Sequence, residues 1–297
     1  MDNKSGPVAR SPRSYLYVPG DQGDRLEKAL GRGADALILD LEDAVAPQRK
    51  VAARELVGDW IRRNAATGQA VWLRITADDP AADIGAITAS IAGVMVPRAE
   101  SALLAEVDGL LAARESTLGI QAGNLAVIPL IETARGLLSA VDLASAPRTV
   151  RLAIGRADLA GELGLGIDHE GPEFRSILLQ LVIASSAAGI AAPVAPTSTD
   201  FRDLDALRAS TEQLLRLGYR GRTAVHPAQL AVINDVFTPS PDDVQRARRL
   251  VAAFDEAERN GSGVTTDENG RMVDAAVVRS ARDTLQRADQ PRGPRAI

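Results

Sequence analysis

Short apolar runs alternate with helical runs along almost the whole chain, and no other feature narrows the possible folds as far. Apolar stretches occur at 14–20 (SYLYVPG), 36–43 (ALILDLED), 70–76 (AVWLRIT) and 93–97 (GVMVP). Four more follow at 125–131 (LAVIPLI), 150–155 (VRLAIG), 190–196 (IAAPVAP) and 221–226 (GRTAVH). Runs this short and this apolar read as strands buried on both faces. Helical spacing separates them at 21–33, from Pro47 onward, and at 83–90, 101–115, 134–144, 172–189 and 204–217. After the last strand come helical segments at 227–236 and 241–260.

Strand and helix in alternation mean βαβ units and a parallel sheet. Eight units in about 250 residues predict a closed (β/α)₈ TIM barrel. An open doubly wound sheet is the alternative, but it usually has fewer strands, and no G-x-G-x-x-G turn follows any strand here. The expected layout is a flexible N-terminal tail over 1–12, a catalytic barrel over 13–260 and a C-terminal extension over 261–297. The extension reads as a hairpin (GVTTDENGRMV, with Asn269-Gly270 at its turn) and a helix over 275–287. It is too short to bury a core of its own, so it is expected to pack on the barrel or on a neighbouring subunit.

Composition excludes several classes of function. The chain has no cysteine, which removes disulfides, thiolate nucleophiles and cysteine-ligated zinc. Its histidines are His169 and His226 alone, too few for a histidine-rich metal site. A net charge of −5 with scattered basic residues argues against a nucleic-acid partner. The N-terminus lacks the apolar core of a signal peptide, and no run reaches the length of a membrane span. A cytoplasmic protein without a membrane partner is expected. Chemistry then falls to carboxylates and arginines.

In such a barrel the active site lies at the C-terminal ends of the strands. Those ends carry Pro19-Gly20, Glu42-Asp43, Arg74, Arg98, Glu132, Arg156 with Asp158, and His226. Four acids and three arginines thus converge on one face. Glu132 and Asp158, from neighbouring strands, suit a hard cation such as Mg²⁺ that keeps waters or takes substrate oxygens. Each also has a structural reading: Glu132 beside a helix start, Asp158 capping a turn. Arg74 alternates with Val71, Leu73 and Ile75 and so points inward, where it needs an anion. That anion is either a substrate carboxylate or developing enolate, or Glu42 and Asp43 as a structural pair. Asp40 is expected to serve the fold, and a lone His226 before proline reads as a satisfied structural histidine.

These residues in this order resemble the citrate lyase β-subunit-like acyl-CoA lyases of the HpcH/HpaI aldolase group. The resemblance is carried by RSYLYVPG (13–20), DLEDAVAP (40–47), LRIT (73–76), MVPRAES (95–101), LIETARG (130–136), IGRADL (154–159), VHPAQ (225–229) and GRMVDAAV (270–277). It implies a Mg²⁺-dependent carbon–carbon lyase acting on a β-hydroxyacyl-CoA thioester such as citramalyl-, malyl- or citryl-CoA. Glu132 and Asp158 would hold the metal. Arg74 and Glu132 would bind substrate, together with Arg13, Pro19 and Gly20 of the first motif. Glu42 and Asp43 would orient Arg74 and the metal's waters. Asp274 of the MVD motif would be the acid–base residue, delivered by a neighbouring subunit of a homotrimer or a hexamer. Two departures bear on substrate choice: Arg98 stands where lysine is expected, and Ala157 where an acid or small polar residue is expected. A class II aldolase on free hydroxy-keto acids, and a citrate lyase β subunit working within a carrier-protein complex, are the alternatives.

Overall fold

The computed structural model describes residues 11–166 and 172–289. Residues 1–10 of the expected tail, the end of the extension (290–297) and His169 lie outside the described residues. The described chain separates into two compact units, one within Met1–Asn234 and one within Asp235–Arg292.

The first unit is a closed barrel of eight parallel strands. They are β1 (Ser14–Pro19), β2 (Ala36–Asp40), β3 (Ala70–Arg74), β4 (Gly93–Val96), β5 (Ala126–Ile131), β6 (Ala153–Ile154), β7 (Val194–Ala195) and β8 (Gly221–Ala224). Pairing of β8 back onto β1, with Ser14 opposite Arg222, closes the ring and rules out the open doubly wound sheet. Every residue of β2 is buried, as the uninterrupted apolar run demands. Alternate strand residues, among them Tyr15, Ala36, Ile38, Trp72, Met95 and Ile128, form one buried apolar cluster. Burying a large apolar side chain contributes roughly 1.5–3 kcal/mol, so this cluster is a main source of the barrel's stability.

Several elements differ in length from expectation, for local reasons. β2 stops at Asp40 rather than running to Asp43. The Asp40 carboxylate accepts the Glu42 N–H at 2.8 Å, which turns the chain out of the sheet. The helix expected over 83–90 instead spans Pro80–Gly85, because Asp79 caps Ala82 N–H and Pro80 takes the first helical position. The run over 134–144 splits at Ser139 into Ala134–Leu138 and Ala140–Ser145. A helix absent from the sequence reading, Arg156–Leu163, follows β6 directly.

Polar side chains tie the N-terminal ends of the strands. Arg13, just before β1, makes a two-pronged pair with Asp35, just before β2, at 2.7 and 2.8 Å. Arg148 grips both oxygens of buried Glu115 at 2.7 and 3.0 Å. Glu115 also accepts the backbone N–H groups of Gly123 and Leu125, at the entrance to β5.

The second unit begins earlier than residue 261 and takes in the helix Pro241–Arg259. After it come a small antiparallel pair, β9 (Thr265–Thr266) with β10 (Met272–Val273), and the helix Ala275–Ala288. The hairpin turn falls where Asn269-Gly270 predicts it, with Gly270 N–H donating to the Asp267 carbonyl at 3.0 Å. Phe254, Val273 and Val278 bury one another, flanked by Leu250 and Val251. The extension thus has no core of its own and buries its apolar residues against the helix that precedes it. No helix among the described residues is long and apolar enough to cross a membrane.

Candidate active site

Strand register brings the charges together. Asp40, the last residue of β2, lies directly opposite Arg74, the last residue of β3. Residues in register on adjacent strands point to the same face. Arg74 is 8% exposed. Its Nε and Nη2 donate to the two Asp40 oxygens at 2.8 and 2.7 Å. Its Nη1 meets Glu42 at 2.7 Å and Asp43 at 3.4 Å. The Tyr17 ring lies under the guanidinium, 5.0 Å from ring centre to Cζ. Glu42 and Asp43 therefore do support Arg74, but Asp40, assigned to the fold from sequence, is the principal partner. Asp43 contributes least, since its side chain is 67% exposed and its contact is long.

The loop after β2 is fixed from behind. Lys50 Nζ donates to the carbonyls of Leu41 and Glu42 at 2.6 and 2.7 Å. Burial pushes the Glu42 carboxyl up to about 7 against the pull of Arg74, and neighbouring Asp43 adds to the rise.

Glu132 follows β5 and is 5% exposed. It does not cap the next helix. Thr133 does so, accepting Gly136 N–H at 3.0 Å. The Glu132 Oε2 accepts the Arg98 backbone N–H at 2.9 Å. Arg98 holds a left-handed backbone (φ 46°), uncommon for a residue with a side chain, and this turn aims its N–H at the carboxylate. On the other side stands Gly155, where an added Cβ would fall 2.4 Å from Glu132 Oε1. Only glycine leaves room for the carboxylate. Burial pushes Glu132 up to about 7; the Arg98 N–H opposes this, and the charge of Asp158 adds to it. Asp158 sits in the first turn of Arg156–Leu163, whose N-cap Gly155 provides no side-chain cap.

Most of the charged groups open onto one cavity of about 1060 Å³ at the C-terminal end of the barrel, with Glu42 and Arg98 behind its lining. Tyr17, Asp40, Arg74, Glu132 and Asp158 line it, with Pro19 and Asp43. The loop after β7 contributes Thr197 to Asp200, and Arg25 stands at the wall. Sequence reasoning placed Thr197 at this end of the barrel but missed Tyr17, Arg25 and the rest of that loop. For Tyr17 a signal existed: it shares strand parity with Tyr15 and Pro19.

Two further expected site residues, Arg13 and Gly20, do not line the cavity. Arg13 precedes β1, at the end of the barrel opposite the cavity, and is committed to Asp35. Gly20 is not a lining residue. Its N–H donates to the Asp40 carbonyl at 2.9 Å, and a Cβ there would meet that oxygen at 2.8 Å, so it seats β1 against the end of β2. Asp274 belongs to the second unit. There it caps the helix Ala275–Ala288, its Oδ1 accepting the N–H groups of Ala276 and Val277 at 2.9 and 3.0 Å. His226 Nδ1 accepts the Ala228 N–H at 3.1 Å, and its ring stacks on Phe201 at 4.7 Å.

Among the described residues no group of three or more histidines or acids could hold a metal. Glu132 and Asp158 are two, both hard oxygen donors, and Glu132 Oε1 makes no hydrogen bond among the described residues. That donor set fits a cation that completes its shell with water and substrate oxygens, as Mg²⁺ does.

Residues 13–227 match the HpcH/HpaI aldolase/citrate lyase family. The chain belongs to this family. It is 35% identical over 281 residues to a (3S)-malyl-CoA thioesterase of Cereibacter sphaeroides, covering 93% of this chain and 94% of the relative. It is 32% identical over 315 residues to the L-malyl-CoA/beta-methylmalyl-CoA lyase of the same species, covering 95% and 96%. Among solved structures, CitE of Mycobacterium tuberculosis in complex with magnesium, acetoacetate and coenzyme A is 30% identical. It superposes with a TM-score of 0.76 over 95% of this chain and 100% of that one.

Proposed function

We propose that the chain is a Mg²⁺-dependent carbon–carbon lyase acting on a β-hydroxyacyl-CoA thioester of the malyl or citramalyl type. The observation that carries the reading is the facing of a rigidly held cation, Arg74, and a partner-poor pair of acids, Glu132 and Asp158, within one cavity. Glu132 and Asp158 would hold the metal. Bound there, Mg²⁺ supplies Lewis-acid polarisation of the substrate's hydroxyl and carboxylate oxygens, lowering the hydroxyl pKa. That CitE, a relative of this chain, is seen in complex with magnesium, acetoacetate and coenzyme A supports a Mg²⁺-dependent reaction on such a thioester.

The chain's own residues do the rest. Arg74 receives the substrate's carboxylate and the negative charge that develops as the carbon–carbon bond breaks. Asp40 and Glu42 keep its guanidinium from turning, so no reorganisation is needed at the moment of reaction. The products are a 2-keto acid and the enolate of the acyl-CoA, which must take up a proton. Asp274 from a neighbouring copy of the chain, in a homotrimer or hexamer, is the proposed acid–base residue: its carboxylate takes the proton that the substrate hydroxyl loses as the carbon–carbon bond breaks and returns it to the enolate carbon. Its Oδ2 makes no hydrogen bond among the described residues, while Oδ1 anchors it to the helix start.

Hydrolysis of the same thioester is a second reading, favoured by the 35% identity to (3S)-malyl-CoA thioesterases. One assay separates the two. Purified protein with Mg²⁺ is given malyl-, citramalyl- and β-methylmalyl-CoA, and both 2-keto acid and free thiol are measured. Keto acid without thiol supports the lyase; thiol without keto acid supports hydrolysis. Turnover of free 4-hydroxy-2-keto acids alone would replace both with an aldolase. Asp274→Asn is expected to keep Mg²⁺ affinity and lose most turnover; unchanged turnover removes Asp274 from the reaction.

A further inference from the structure

The chain has three tyrosines, and one of them is poorly partnered. The Tyr15 oxygen accepts from Arg151 at 2.9 Å. The Tyr219 hydroxyl donates to the Leu178 carbonyl at 3.0 Å. The Tyr17 hydroxyl donates instead to the sulfur of Met95 at 3.3 Å. A thioether is a weak acceptor, and a partly buried phenol ordinarily finds an oxygen or water. Burial holds the Tyr17 phenol well above its ordinary pKa, so it keeps its proton.

Position gives this donor a use. Tyr17 packs against the apolar cluster inside the barrel and lines the cavity between Asp40, Arg74 and Glu132. Its ring covers one face of the Arg74 guanidinium, while Asp40 and Glu42 take the edges. A donor with a weak acceptor, beside a fixed cation in a cavity wall, complements an anionic oxygen.

We propose that Tyr17 is a substrate-binding residue whose hydroxyl leaves the Met95 sulfur for a carboxylate oxygen of the substrate's 2-keto or 2-hydroxy acid end, while its ring keeps Arg74 in place. This assignment rests on the lyase reading. It makes Met95 the resting acceptor of that hydroxyl and Tyr17 a determinant of preference for substrates carrying a carboxylate at this position.

The test uses full-length protein with Mg²⁺ and two probes, pyruvate and glyoxylate, with binding measured by calorimetry. Tyr17→Phe keeps the ring and removes the hydroxyl. Its affinity for the keto acids is expected to fall about tenfold, the effect of one hydrogen bond to a charged acceptor. Mg²⁺ affinity and thermal midpoint should stay at wild-type values, and KM should rise while kcat holds. Met95→Leu, nearly constant in volume, should tighten keto acid binding about twofold in the presence of Tyr17 and leave it unchanged in the Tyr17→Phe background. A merely structural tyrosine would not produce that dependence. Equal keto acid affinity in wild type and Tyr17→Phe overturns the assignment while leaving the lyase reading intact. If wild type binds neither probe and yields no keto acid from any CoA thioester, the lyase reading falls and the assignment falls with it.

Discussion

The two ends of the barrel each hold arginines gripped by buried carboxylates, yet the acids are left in opposite states. At the N-terminal end Glu115 is saturated: both oxygens take Arg148, and two backbone N–H groups add to it. Burial alone would raise its pKa, but these donors win and hold the carboxyl below its ordinary value. At the C-terminal end burial wins, and Glu42 and Glu132 are both pushed up to about 7. A carboxylate whose lone pairs are all used stabilises the fold and has nothing left for a ligand. One that is buried with spare acceptor capacity costs stability, and its presence needs a ligand to explain it. Burial of charge therefore does not distinguish structure from function in this protein; hydrogen-bond saturation does.

The contrast can be broken at either end. Arg148→Ala leaves Glu115 buried and unpaired, which costs about 3–5 kcal/mol in unfolding free energy. Urea denaturation measures this, and the folded fraction should keep wild-type turnover per site. Arg74→Lys keeps the charge but not the two-pronged grip on Asp40. It is expected to lower kcat/KM by about 100-fold, roughly 2.7 kcal/mol in transition-state stabilisation, with a much smaller change in stability. If Arg148→Ala were the inactive protein and Arg74→Lys the unstable one, the assignment of the two ends would be reversed.

Smaller effects sharpen the same point. Glu132 has a raised pKa in the fold, so its contribution is most favourable below the unfolded value. That contribution is lost as pH rises from about 4.5 towards about 7. In metal-free protein at pH 8, Glu132→Gln should therefore be more stable than wild type, by about 2 kcal/mol, while Mg²⁺ affinity measured by calorimetry drops. Equal stability at pH 8 would mean that the ionised carboxylate is satisfied within the chain. Glu115, with its pKa lowered, behaves oppositely: its contribution is present above the unfolded value and declines as pH falls below it. Arg13→Lys is expected to have the least effect, about 1 kcal/mol of stability or less and no change in KM. A raised KM would return Arg13 to the substrate site.

The sequence carries more of this than its lack of histidine clusters suggests. Alternating apolar runs and helical spacing announce the eight-stranded barrel, and strand ends name Arg74, Glu132 and Asp158 as charges on one face. Parity could have given Asp40 as well, since it lies two and four residues beyond Ile38 and Ala36, which join the apolar cluster. Arg13 was misplaced because a motif was read as one unit, although the residues before a strand and after it face opposite ends of a barrel. The helix Arg156–Leu163 went unseen because its buried residues, Leu159 and Ala160, are too few for a periodic signal.

The sequence by itself determined the barrel, the family and the chemical character of the site, because periodicity and residue type are local properties of the chain. Only the tertiary structure decided who pairs with whom. Asp40 reaches Arg74 across 34 residues through strand register. Glu132 fits only because Gly155 lacks a side chain and Arg98 turns its N–H inward. Tyr17 is left with a sulfur where the other tyrosines have better partners. Each of these is a matter of distance between residues remote in sequence, and a hydrogen bond acts over a few ångströms, so no local pattern can encode it.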